Sequence, residues 1–185
     1  TWAFKLKPGV KFHNGEPFNA NTVKFAFERA VAADSTNKDK AVFANIVNIG
    51  MTDDLTVLLT LKNPNPDFLF QLGQATAVIV EPKSVATNNT QPVGTGPYRL
   101  ENWAKGSAVV LARWDGHRDA KSVKLRRVTM RFIGDAAAQV AAMMAGDVDV
   151  FPRVAAAKTL PQFKGDKRFV VAVGSTAFAC RNGNL

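Results

Sequence analysis

Catalysis needs particular residue types at particular spacings, and this chain offers few such sets. The two histidines, His13 and His117, lie far apart in sequence, and neither has a Cys, Asp or Glu at the helical spacing that would complete a metal site. No Gly-x-Ser-x-Gly elbow and no Walker-type loop occurs. Gly94-Thr95-Gly96 has the outline of a phosphate cradle, but such a loop feeds a helix N-terminus whose free N–H groups point at the anion. Here Pro97 removes one N–H, and Tyr98-Arg99-Leu100-Glu101-Asn102-Trp103 alternates apolar with polar residues, which predicts a strand. The turn at Gly94, Gly96 and Pro97 therefore reads as scaffold, with glycines able to take backbone angles that other residues avoid. His13, beside Asn14-Gly15, reads as a solvent-exposed turn residue. No catalytic residue, metal site or cofactor is expected.

What remains is the chemistry of binding. Ends of regular elements often line clefts. Gly73-Gln74-Ala75-Thr76 follows a short apolar helix pattern and precedes an apolar run, which makes Gln74 and Thr76 candidate ligand contacts. Phe151-Pro152-Arg153 ends another predicted strand, and Arg153 is a candidate anion contact. The chain is basic, with 24 Lys and Arg against 15 Asp and Glu and a net charge of +9. A basic nucleic-acid-binding module is thus an alternative. The charges are dispersed, however. The densest cluster, Lys121, Lys124, Arg126, Arg127 and Arg131, alternates in part with Val123, Leu125, Val128, Met130 and Phe132, as expected of a strand with a solvated basic side.

Elements follow from the apolar pattern. Strands are predicted over 1–6 and 56–62, with a short extended piece at 10–12. Asn19 is a suitable N-cap for a helix over 21–33 whose Val23, Phe27, Ala30 and Val31 share a face. A second helix is expected over 40–47, a turn at 51–54, and a short helix over 68–72 capped by Asp67. A short buried strand is read at 77–80 and a polar loop at 83–91. Residues 98–103 and 108–113 should form a hairpin across Lys105-Gly106-Ser107, with a further strand over 124–133. Asp135 should cap a helix over 136–145 that Gly146 ends, followed by a strand at 148–151, a weak helix over 155–163, and strands at 169–173 and 176–181. Cys180, the single cysteine, excludes an internal disulfide and reads as a buried thiol. At 46% hydrophobic the chain can bury a core, yet no run of about 18 apolar residues would span a membrane. The interleaving of helices, short strands and hairpins implies a mixed α/β lobe.

Four stretches in order carry a resemblance. The opening run Thr1-Trp2-Ala3-Phe4-Lys5-Leu6-Lys7-Pro8-Gly9-Val10-Lys11-Phe12-His13-Asn14-Gly15-Glu16-Pro17-Phe18-Asn19-Ala20 comes first. Val93-Gly94-Thr95-Gly96-Pro97-Tyr98-Arg99-Leu100, Arg113-Trp114-Asp115-Gly116 and Met143-Met144-Ala145-Gly146-Asp147-Val148-Asp149-Val150 follow. Together they resemble the peptide/nickel class (family 5) of solute-binding proteins that serve ABC importers. The resemblance implies part of a type II-like periplasmic-binding-protein lobe. Its helix-bearing subdomain would lie over about residues 10–90 and the sheet-containing part of the first lobe over about 91–185, with a second lobe absent from this stretch. It implies binding of a short peptide or peptide-like solute and delivery to an ABC permease. The setting would be the periplasm, or a lipid anchor at the outer face of the cytoplasmic membrane, with this piece monomeric and no nucleic acid bound. A nickel or metal-chelate ligand is the alternative within the family. By position the resemblance also makes Arg113 a cleft-facing guanidinium for a ligand carboxylate, with Trp114 as core or cleft wall. A solvated strand end is the other reading of Arg113.

Overall fold

The computed structural model describes residues 1–152 and 157–172. The contacts divide the chain into two units, Thr1–Arg131 and the residues from Phe132 onward.

The first unit is built on two small sheets. In one, β1 (Trp2–Lys5), β2 (Ile46–Asp53) and β3 (Thr56–Leu61) are antiparallel in the order β1-β3-β2. The central strand β3 buries Val57 and Leu59. Helix α1 (Ala20–Val31) lays its apolar face on this sheet, burying Ala20, Val23, Ala26, Phe27 and Ala30. Its start is a full capping box: the Asn19 side chain accepts from the Thr22 N–H at 3.2 Å, and the Thr22 hydroxyl accepts from the Asn19 N–H at 3.2 Å. Short helices α2 (Lys40–Ala44) and α3 (Phe68–Leu72) close the core, with Phe27 against Phe43 at 5.3 Å and Trp2 against Phe68 at 6.1 Å. The other sheet is a meander of β4 (Tyr98–Ala104), β5 (Ala108–Arg113) and β6 (Arg127–Arg131), again antiparallel and in chain order. Gly106 turns the β4–β5 hairpin at φ +76°. The register slips between Leu100 and Asn102, so Glu101 sits in a bulge.

In the second unit, Asp135 caps α4 (Ala136–Ala145) through a 2.7 Å bond to the Ala138 N–H, and Gly146 ends the helix at φ +79°. Helix α5 (Leu160–Lys164) carries Pro161 in its first turn, where a missing N–H costs nothing, and Phe163 packs edge-on to Phe169 at 5.1 Å. No helix among the described residues is long and apolar enough to cross a membrane.

The mixed α/β class is as expected, but several elements differ. The second helix stops at Ala44, and what was read as its tail and a turn at 51–54 is strand β2. Two register shifts against β3 break the alternation that would have revealed it. Asp67 makes no side-chain cap; Asn65 accepts its N–H instead. Residues 77–80, all apolar, and 148–151, apolar but for Asp149, form no strand. The strand expected over 124–133 shortens to Arg127–Arg131, and residues 169–172 form none. Cys180 and the strand expected at 176–181 lie outside the described residues.

Candidate functional site

Two clusters in the first unit bring polar side chains to places where a solute fits. The first begins with α1. Its buried stripe ends in Ala26, Phe27 and Ala30, and with Phe43, Val78 and Val80 these floor a groove of about 520 Å³. A volume of a few hundred Å³ suits a small ligand. The rim is polar and carries both charge signs: Arg29, Asp34 and Lys38, none of them in a salt bridge among the described residues. Thr76 is on the lining and held in place, its hydroxyl donating to the Asp39 carboxylate and its carbonyl accepting from Asn37 Nδ2 at 2.8 Å. Gln74 is exposed at the edge of this stretch and does not line the groove.

The second cluster gathers around His13. The backbone N–H of His13 bonds to the Gly94 carbonyl at 2.9 Å, and the Gly94 N–H donates to Nδ1 of the ring at 3.3 Å. A nitrogen that accepts carries no proton, so the proton is on Nε2, which bonds the Gly96 carbonyl at 3.0 Å. The ring also meets Trp114 edge-on, with centroids 4.9 Å apart. The Trp114 N–H in turn bonds the Pro97 carbonyl at 2.9 Å. His13 is thus half-buried and bonded at both ring nitrogens, which corrects the expectation of an exposed turn histidine. The glycines need correction too. Neither Gly94 nor Gly96 has positive φ; a side chain at Gly96 would meet nothing within 4 Å, and one at Gly94 only His13 Cε1 at 3.7 Å. The turn is fastened by its carbonyls and N–H groups, not by left-handed backbone.

Arg113 leaves the end of β5 beside this turn. Its Nε donates to Asp115 Oδ1 at 2.9 Å and its Nη1 to the Val123 carbonyl at 3.2 Å. Its side chain is 29% exposed. Arg113, Trp114 and the Gly94–Pro97 turn therefore come together, while Thr76 belongs to the other groove. Arg153 lies outside the described residues. Along the free edge of β4 runs a second groove of about 510 Å³, lined by His13, Gln91, Arg99 and Trp103 among others. In the basic stretch, Arg127 grips the Glu101 carboxylate with Nε at 2.9 Å and Nη2, so part of that charge is neutralised in place. His13 was missed as a joint because its partners are more than eighty positions away. The two-residue spacing of Arg113 and Asp115 was the one local sign that the guanidinium has a partner.

The profile of the bacterial extracellular solute-binding proteins, family 5 Middle, matches residues 1–183. Among curated proteins, the glutathione-binding protein GsiB of Pectobacterium atrosepticum is 34% identical over 176 residues, covering 93% of this chain and 34% of that protein. The chain thus spans about a third of the length of that relative. Among solved structures, a nickel ABC transporter protein from Bacillus halodurans is 31% identical, with a TM-score of 0.75 over 90% of this chain and 34% of its own. The mannopinic-acid complex of MoaA from Agrobacterium tumefaciens R10 is 26% identical, with a TM-score of 0.80 over 89% of this chain and 34% of its own.

Proposed function

This chain belongs to the bacterial extracellular solute-binding proteins of family 5, and we propose that the whole protein captures short peptides or peptide-like solutes outside the cytoplasmic membrane and hands them to an ABC permease. The observation that carries this reading is the groove at the end of α1. An apolar floor of Phe27, Phe43 and Val80 lies beneath Arg29, Asp34 and Lys38, none of which forms a salt bridge among the described residues. A peptide has the same make-up: apolar side chains, one carboxylate and one amine. The glutathione named for the Pectobacterium relative is a tripeptide with one amine and two carboxylates, so it too needs groups of both charge signs. At the second cluster, Arg113 offers a guanidinium whose Nη2 has no partner among the described residues. A ligand carboxylate fits there, because the planar fork of arginine binds carboxylates with directional bonds. Trp114 would form the wall beside it.

Capture follows from differential binding. A solute held between two lobes contacts both only when they close, so it stabilises the closed form by that difference. The work is binding and release, with no covalent step and no resident metal. The site of action is the periplasm or a lipid-anchored position on the outer face of the membrane.

Calorimetry on the full-length protein tests the reading. Glutathione, a di- and tripeptide panel, and nickel–histidine are titrated separately. Saturable heat from a peptide supports it. Heat from nickel–histidine with silence from every peptide overturns it in favour of metal-chelate uptake, for which the Bacillus halodurans structure provides the precedent by name.

A further inference from the structure

Among the described residues, the His13 ring is the one side chain that bonds the turn at both ends and also touches the tryptophan beside Arg113. Its Nδ1 accepts from Gly94, its Nε2 bonds the Gly96 carbonyl, and its edge lies on the Trp114 indole. The turn then passes the constraint on, because the Pro97 carbonyl holds the backbone N–H of Trp114. Trp114 is packed so closely that a methyl group at Gly116 would come within 2.7–2.8 Å of three indole atoms. The segment that carries His13 is itself anchored: the Phe12 N–H bonds the Glu16 carbonyl at 2.8 Å, and Asn14 bonds buried Glu81 at 3.0 Å. A fixed support and a two-ended hydrogen-bonded ring thus lead to Trp114, the residue that follows Arg113 in the chain.

We propose that His13, as the neutral Nε2–H tautomer, is a positioning residue that sets Trp114 and Arg113 for the solute without touching it. This inference rests on the peptide-capture reading above. The ring fits the part because a histidine with one donor and one acceptor nitrogen matches a carbonyl and an N–H two residues apart. A glutamine side chain offers the same pair of groups, whereas an alanine offers neither.

The experiment uses the full-length protein with His13→Ala, His13→Gln and, as a control in the β4–β5 turn, Lys105→Ala. Without ligand, ¹⁵N shifts of the His13 ring report the tautomer, and the Gly94 amide and Trp114 indole resonances report the joint. We expect the Nε2–H tautomer in the unmutated protein, faster Gly94 exchange and a moved Trp114 indole signal in His13→Ala, and recovery of these last two in His13→Gln. With glutathione as probe, His13→Ala should weaken affinity about tenfold and His13→Gln about threefold or less. Lys105→Ala should match the wild type. The Nδ1–H tautomer, or an unmoved Trp114 signal in His13→Ala, overturns the proposal whether or not any solute binds. Affinity unchanged in His13→Ala but weakened in Arg113→Ala also overturns it, while leaving the peptide-capture reading standing. Affinity unchanged in both removes the arginine from the site and the positioning role with it.

Discussion

Asn14 and Glu81 are joined by a 3.0 Å hydrogen bond from Asn14 Nδ2 to a carboxylate that is only 2% exposed. The other Glu81 oxygen accepts the Lys83 N–H at 2.9 Å, and the Ser84 hydroxyl donates to the Glu81 carbonyl at 2.8 Å. A buried carboxylate held in this way fixes the 13–16 turn against the 82–84 turn. Removing it takes the acceptor away from the Asn14 amide and from the Lys83 N–H and unties the two turns. Glu81→Ala is expected to lower unfolding free energy by about 2–4 kcal/mol, read from urea denaturation at constant m.

The glycines near the turn should separate by geometry. Gly116→Ala drives a methyl group into the Trp114 ring and should cost about 1–3 kcal/mol. Gly96→Ala meets open space at an ordinary φ and should change stability by less than ~1 kcal/mol. Thermal melts of the two variants side by side decide this, and a loss at Gly96 equal to that at Gly116 contradicts it.

Arg113→Ala in the full-length protein should weaken glutathione about tenfold or more, since hydrogen bonds to charged groups contribute roughly 1.5–3 kcal/mol. The same variant also loses the bonds to Asp115 and Val123. Asp115→Ala is therefore the companion measurement. If loss of the local pair were the whole effect, the two variants would weaken binding equally. The expectation is a larger loss for Arg113→Ala.

Asp53 closes the β2–β3 turn, with Oδ1 accepting the Leu55 N–H at 2.7 Å. That bond, followed by help from the Thr56 hydroxyl, holds its carboxyl below the usual carboxylate range. The folded state therefore favours the ionised form. Its stabilisation is complete above the unfolded carboxylate pKa and fades as pH falls through the lower folded value. Carbonyl-carbon NMR titration should show Asp53 titrating at lower pH in the native protein than in an unfolded peptide of the same sequence.

How much of this was legible in sequence depended on whether the signal was local. The Asn19 cap and the Asp135–Gly146 frame of α4 were readable, because a cap is decided within one turn of helix. Strand β2 was not. Its identity comes from pairing with β3, and its two register shifts erase the period-2 pattern. The stretches at 77–80 and 148–151 invited the opposite error, since an apolar-rich run without a ladder partner looks like a strand in one dimension, although Val78 and Val150 are exposed. At the candidate site, the residue types could be named, but not their partners. Nothing near His13 announces Gly94, and nothing near Thr76 announces Asp39.

The pairing of β1 with β3 also sets a timetable. Trp2 lies opposite Leu59 and Lys5 opposite Thr56, while β2 joins β3 through a tight hairpin. On the ribosome, β1 is therefore made before β3, its partner among the described residues. At about 5–20 residues per second, it waits roughly 3–11 s for β3 to be synthesised. Throughout that interval Trp2 and Phe4 are apolar side chains on a strand that lacks its β3 ladder. The hazard of wrong association in this part of the protein is thus greatest in the nascent chain, before the β2–β3 hairpin exists to receive them.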